Sequence, residues 1–263
     1  MDFATLMDLE PHGPDTFVGA GPRYPWGGLY GGQIVAQGLR AASLTVEPGF
    51  FPHSLHAYFI RRGDHDEPIR FEVDRVRNGR SFVTRNVIAR QSVGAILSMS
   101  ASFQVAEAGL AIQTAEMPNV APPDDLTTES WSTMFERRFV PNGRAPGKAQ
   151  AWLRMIDDVG DDQLLQACAL TYVSDDLPTD AVVTLQPDEV TMEDMESGRF
   201  WSASLDHAIW FHRPLQAEQW HLHDFTCHGY LGSRGLSLGH VLTTDGVHVA
   251  TIAQEVLFRS AKS

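Results

Sequence analysis

Ser204–Pro214 reads SLDHAIWFHRP, and His53–Gly63 reads HSLHAYFIRRG. The later stretch is a degenerate copy of the earlier one: His56-Ala57 answers His207-Ala208, and Arg62 answers Arg213, each 151 positions apart. Working outward, Gly79–Phe103 (GRSFVTRNVIARQSVGAILSMSASF) has a partner in Ser233–Val256 (SRGLSLGHVLTTDGVHVATIAQEV). There Arg80 answers Arg234 at a separation of 154, and Ala101 answers Ala253 at 152. Solenoid units run about 20–50 residues. A repeat near half the chain length implies instead one small domain duplicated and fused, a pseudo-dimer in a single polypeptide.

The bulk numbers agree with an ordinary globular chain: 263 residues, 43% hydrophobic and 20% charged. A net charge of −13 argues against a nucleic-acid binder, whose affinity rests on Lys/Arg contacts to phosphate. Charge is uneven, though. Residues 61–90 hold eight arginines against five acids, which leaves room for a local anion site. Cys168 and Cys227 are far apart in sequence and read as free buried thiols of a reducing compartment. The start, MDFATLMDLE, lacks the basic flank and apolar block of a signal peptide. No stretch approaches the roughly 18 apolar residues of a spanning helix. The expectation is a soluble cytoplasmic protein with neither membrane nor nucleic acid as partner.

Each half reads as a helix followed by an antiparallel meander. In the first, the glycine-rich GPRYPWGGLYGG feeds Gln33–Val46, where Ile34, Val35, Leu39 and Leu44 mix with Ala36, Gly38, Ala41 and Ala42. Small residues there let other backbone come close. Strands follow at His56–Arg61, at Ile69–Val76 with a period of two, at Phe82–Arg90 after the Asn78-Gly79 turn, and after Gly94. Residues 113–150 carry Pro118, Pro122, Pro123 and Pro146 with little periodicity and read as a connector. The second half has a helix from Asp161 to about Asp176, stopped by Leu177-Pro178. Its strands are expected at Asp206–His212, Trp220–Thr226, Leu236–Thr243 and Val247–Phe258, with Asp245-Gly246 as the last turn. The fold class is α+β: residues 1–112 form one unit, 113–150 the connector and 151–263 the other.

YGGQIVAQGLRAA, HSLHAYFIRRGD, GRSFVTRNVIARQ, SLDHAIWFHRP and the terminal AQEVLFR, in that order, resemble the acyl-CoA thioesterase II family across nearly the whole chain. The resemblance implies a double hotdog, two tandem copies of a long helix packed in a curled antiparallel sheet. It implies hydrolysis of fatty acyl-CoA to free acid and CoA, with no metal or redox cofactor. Carried over residue by residue, it also implies a water oriented by Asp175 of YVSDDLP, Ser204 of SLDH and Gln254 of AQEV. Some relatives carry threonine where Ser204 stands, and Asp176 is an adjacent acid that an alignment slip of one would select instead. A homo-oligomer is expected, since fused sheets of this kind often associate further.

Elementary chemistry gives these residues bland readings as well. Asp175, in the last turn of a helix, lies at the negative end of the dipole, which raises its pKa; it also reads as a solvated helix end. Ser204 alone is a generic strand serine. Gln254, set among Val249, Ala250, Ile252 and Val256, needs hydrogen-bond partners when buried and serves either the sheet or a water. Gly31 and Gly32 present N–H groups at a helix N-terminus suited to an oxyanion, or merely permit tight packing. Arg80 is a candidate for the CoA phosphates, or a solvated charge.

Other signals are set aside. No G-x-S-x-G elbow occurs. Gly143–Lys148 falls one residue short of a phosphate loop, with Ala149 where Ser/Thr is required. Gly19-Ala20-Gly21 lacks the third glycine of a dinucleotide loop. His221, His223 and His228 lack an acid or cysteine to complete a metal set. His56 and His207, at matching repeat positions, suggest shared packing. Two other functions remain to be weighed: a catalytically weak acyl-CoA binding module, and an enoyl-CoA hydratase, for which no Asp/His hydratase motif is present.

Overall fold

The alternation in Ile69–Val76 becomes an amphipathic strand in the computed structural model, which describes residues 1–186, 190, 194 and 197–260. Ile69, Phe71 and Val73 are buried there, and Arg70 and Asp74 face solvent. The first half runs α1 (Phe3–Met7), β1 (Glu10–Pro11), β2 (Thr16–Gly19), α2 (Gly31–Ser43), β3 (Phe50–Phe59), β4 (Ile69–Asn78), β5 (Phe82–Gln91) and β6 (Gly94–Val105). The second runs β7 (Phe135–Phe139), β8 (Lys148–Met155), α3 (Gln163–Ser174), α4 (Pro178–Val183), β9 (Phe200–Ser204), β10 (Asp206–Phe211), β11 (His221–Leu231), β12 (Arg234–Thr243) and β13 (His248–Ser260).

These strands form one sheet in the order β1-β2-β4-β5-β6-β3-β10-β13-β12-β11-β8-β7, with β9 added to β13. The halves join where β3 pairs antiparallel with β10, His207 opposite Ala57 and Ile209 opposite Leu55. Inside the curl lie α2 and α3. Every residue of α2 from Gly32 to Leu39 is buried, so the helix has no solvent face, as befits a core helix. The N-terminus of α2 abuts the C-terminus of α3, so the two run antiparallel. A Cβ at Gly32 would collide with the Tyr172 carbonyl, and one at Gly31 would lie 2.5 Å from Asp175 Oδ2. Glycine is required by this close approach rather than by a turn. The helix-in-curled-sheet pairing is the one expected of a double hotdog. Cys168 and Cys227 are both buried free thiols.

Three features depart from the expectation. The span read as connector contains β7 and the first residues of β8, two strands of the second half's sheet. β7 is FERRF, and its pairing is supported by ions instead of an apolar period: Arg138 and Arg154 both bond Glu136, and Arg137 bonds Asp176. Second, Pro178 both stops α3 and opens α4, where a missing N–H is harmless. Third, His56 and His207 do not share a packing role. His207 is fully buried, whereas His56 is exposed on the outer face with its ring edge on Trp210, 5.0 Å between centroids. Aligning the two motifs on their histidines is one residue out of strand register, and a slip of one exchanges inside for outside.

Arg85 is 1% exposed, and its hydrogen-bond partners among the described residues are oxygens of neutral groups. Its guanidinium donates to Thr45 Oγ1 (2.7 Å), Thr45 O (3.0 Å), Arg77 O (2.9 Å), Thr84 O (3.0 Å) and Asn78 Oδ1 (2.8 Å). It thereby ties the chain just after α2 to the β4–β5 hairpin, a cation at the negative end of the helix dipole. Arg85→Leu strips several buried acceptors at once and is expected to destabilise by about 3 kcal/mol. Arg85→Lys should recover little of that, because an ammonium lacks the fork. Urea midpoints of the three proteins check this.

Candidate active site

Asp175 caps the C-terminus of α3 and is 7% exposed, so it is not the solvated helix end of the bland reading. Its Oδ2 accepts the Gly32 N–H at 2.8 Å, and its Oδ1 accepts the Ser204 hydroxyl at 3.3 Å. Ser204 Oγ in turn accepts from Gln254 Nε2 at 2.8 Å. Ser204 ends β9, paired opposite Val256, and Gln254 points inward from β13 with no exposed surface. A helix end and two neighbouring strands thus bring Asp175, Ser204 and Gln254 to one point at the N-terminus of α2.

Burial lifts the Asp175 carboxyl from the ordinary 3.8 to about 7, and the Asp176 charge adds to the rise. The Gln254 amide, the Gly32 N–H and the Ser204 hydroxyl oppose it. The direction agrees with the sequence reading; the leading cause is desolvation of the carboxylate, where the helix dipole was expected. A base with a pKa near 7 is suited to accept a proton from water at neutral pH.

Asp176, one residue on, has a different fate. Its carboxylate is held by Arg137 at 2.8 and 3.0 Å and by Trp131 Nε1 at 2.6 Å, bonds directed to β7 and the loop before it. An aromatic group packs beside the pair: Trp131 lies 4.9 Å from Trp26, 5.1 Å from Tyr30 and 5.9 Å from Tyr24, centroid to centroid. None of Trp131, Arg137, Tyr30 or Tyr24 was singled out from sequence; they sit in loops and in the strand hidden within the connector. Two shallow hollows on the molecular surface, lined by residues of β3–β6 and adjoining loops, border none of Asp175, Ser204 and Gln254.

The remaining candidates separate. The Gly32 N–H is committed to Asp175, so it positions that carboxylate instead of facing an oxyanion. Gly31 lies alongside, within reach of the same oxygen. Arg80 is not brought to this point. It is exposed in the β4–β5 turn beside the Arg85 anchor, at the opposite end of α2, and 13 helical residues span about 20 Å. Charge density along 61–90 says nothing about which end of a strand each arginine occupies. Gly31→Ala should push the Asp175 carboxylate aside while leaving helices and sheet in place. A displacement of about 1 Å at such a group costs about 100-fold in kcat. Turnover measured beside a circular dichroism spectrum checks it.

Comparison with known proteins gives a consistent picture. Residues 21–104 match the family described as the acyl-CoA thioesterase N-terminal domain, and residues 113–258 match the acyl-CoA thioesterase C-terminal domain. Acyl-CoA thioesterase 2 of Haemophilus influenzae is 33% identical over 280 residues, spanning 97% of this chain and 96% of its own. The solved acyl-CoA thioesterase II TesB2 of Mycobacterium marinum is 36% identical, with a TM-score of 0.85 over 99% of this chain and 98% of that one. A protein described as having a hot dog fold, from Alicyclobacillus acidocaldarius, superposes with a TM-score of 0.82 over 98% of each chain. At 19% identity that likeness concerns the fold alone.

Proposed function

The chain belongs to the acyl-CoA thioesterase II family, and from that premise we propose that it hydrolyses fatty acyl-CoA to free acid and CoA at Asp175, Ser204 and Gln254. The observation that carries the assignment is the convergence of these three side chains around a buried carboxyl whose pKa lies near 7.

Asp175 in its ionised form takes a proton from a water held against it by Ser204 and by the second amide hydrogen of Gln254. The water oxygen attacks the thioester carbonyl carbon, and the carbonyl oxygen gains the negative charge. The Gly31 N–H, in the first turn of α2, is the donor proposed for that oxyanion, aided by the positive end of the helix dipole. Collapse breaks the C–S bond and expels CoA thiolate. A thiol pKa near 8.5 makes this leaving group undemanding, and protonated Asp175 returns its proton to it. No metal or redox cofactor enters this scheme.

The wider reading has further parts. Two buried free thiols support a reducing, cytoplasmic compartment. No helix among the described residues is long and apolar enough to cross a membrane. Residues 1–112 and 151–263 are proposed as the two duplicated units, with 135–150 adding strands to the second unit's half of the sheet. Exposed Tyr58 and Trp210, on the outer face of the adjacent central strands β3 and β10, support association into a homo-oligomer.

The test is thiol release from medium- and long-chain acyl-CoA, followed with a thiol reagent, for wild type, Asp175→Asn, Ser204→Ala and Gln254→Ala. Turnover by the wild type and its loss in all three, with acyl-CoA binding kept, is the expected outcome. Three variants that hydrolyse like wild type would show the site to be elsewhere.

A further inference from the structure

His207 makes no contact with Asp175, yet it lies one hydrogen bond behind the residues just assigned. It is fully buried on β10, with Nδ1 in hydrogen-bond contact with Gln254 Oε1 and Nε2 2.8 Å from Ser174 Oγ. Ser174 belongs to the last turn of α3, immediately before Asp175. The polar groups therefore close a loop: α3 to β10 through Ser174 and His207, β10 to β13 through Gln254, β13 to β9 through Ser204, and back to α3 at Asp175.

We infer that His207 is a positioning residue for the hydrolytic site, its Nδ1–H fixing which end of the Gln254 amide faces Ser204. The inference rests on the reading that Asp175, Ser204 and Gln254 hold the water.

Only two consistent arrangements of the donors exist for a neutral imidazole. In the first, Ser174 donates to His207 Nε2, His207 Nδ1–H donates to Gln254 Oε1, Gln254 Nε2 donates to Ser204 Oγ, and Ser204 donates to Asp175. Every donor meets an acceptor, and the ionised carboxylate receives both the Ser204 hydroxyl and the Gly32 N–H. In the second, the proton sits on Nε2 and donates to Ser174 Oγ, whose own hydrogen turns to Thr171 O, 2.9 Å away. Nδ1 is then an acceptor, so the amide must flip and offer its nitrogen to His207 and its oxygen to Ser204. The Ser204 hydrogen is then drawn to Gln254, leaving an oxygen lone pair against the carboxylate. That arrangement suits a protonated Asp175, which cannot act as a base. The amide hydrogen that would reach the water is also lost. The first arrangement is the competent one, and a proton on Nδ1 selects it. Burial holds the imidazole pKa down at about 4, so His207 stays neutral where the reaction runs.

The test uses His207→Asn and His207→Gln in the full chain. An asparagine amide nitrogen sits where Nδ1 sits and keeps the donor; a glutamine amide nitrogen sits nearer the Nε2 position and does not. In His207→Gln, kcat is expected to fall about 10- to 100-fold, the usual effect of losing a group that orients a site residue, with KM unchanged. His207→Asn is expected to stay near wild type in both. Full turnover in His207→Gln, or an equal loss in the two variants, overturns the inference. Asp175→Asn assayed beside them separates this claim from its premise: wild-type turnover there removes the site itself. Where a variant does not fold, the wild type still decides. With ¹⁵N-labelled histidine, NMR should find the proton of His207 on Nδ1, and a proton on Nε2 overturns the inference.

Discussion

Asp175→Asn should lose on the order of 1,000-fold in kcat, within the range spanned by positioned general bases. The substitution keeps size and keeps an oxygen for the Gly32 N–H; it removes the base and sets an amide N–H where Oδ1 accepted the Ser204 hydroxyl, so that hydrogen bond reverses. Acyl-CoA affinity should therefore survive, which separates chemistry from binding. Stability should move the other way above neutrality. A carboxyl whose pKa is raised from 3.8 to about 7 by burial contributes its full stability below 3.8 and loses it as pH rises through about 7, because the ion must then be accommodated without water. Asparagine carries no such burden. At pH 8 the variant should melt at a higher temperature than wild type, and at pH 4 the difference should shrink. An inactive enzyme that is more stable at high pH is the signature of a carboxylate placed for function at the expense of the fold.

The second large effect concerns the neighbouring acid. Arg137 and Asp176 form an ion pair whose side chains are 11% and 1% exposed. Arg137→Met leaves Asp176 charged and buried with only the Trp131 N–H and should destabilise by about 3–5 kcal/mol. Arg137→Met with Asp176→Asn should recover most of the loss, since the uncompensated charge is gone and an amide oxygen still accepts from Trp131. The double variant should also retain hydrolysis, because Asp176 is the structural acid of the pair. Denaturant titration and thiol release on the single and double variants check both halves. Hydrolysis abolished in a stable double variant would point to Asp176 as the base.

How far these features can be read from sequence differs by kind. The internal repeat, the period of two in Ile69–Val76 and the small residues of α2 announce two helix-and-meander units, because burial patterns are local and recur. Strand β7 escaped, since FERRF pairs Arg137 with Asp176, 39 residues on, and its Glu136 with Arg154 as well as Arg138, and no local period records a tertiary ion pair. The role of Asp176 escaped with it, Arg137 being its partner. Asp175, Ser204 and Gln254 were reached through family resemblance; spacing alone offers a helix end, a strand serine and a buried amide. The distance of Arg80 from Asp175 was not legible either, because a cluster of charge along a sequence does not tell which end of a hairpin carries it. His207 was paired with His56 because an alignment on identical letters ignores strand parity. One residue of register separates a ring on the outer face from one at the centre of the polar network.

The pH dependence of kcat/KM for a long-chain acyl-CoA tests the central claim most directly. Only ionised Asp175 accepts the proton of the attacking water, so the rate should rise tenfold per pH unit below about 7 and level off above it. Asp175→Asn should flatten that limb. A wild-type profile with no break between about pH 6 and 8, or a limb that survives in Asp175→Asn, would mean that another group activates the water.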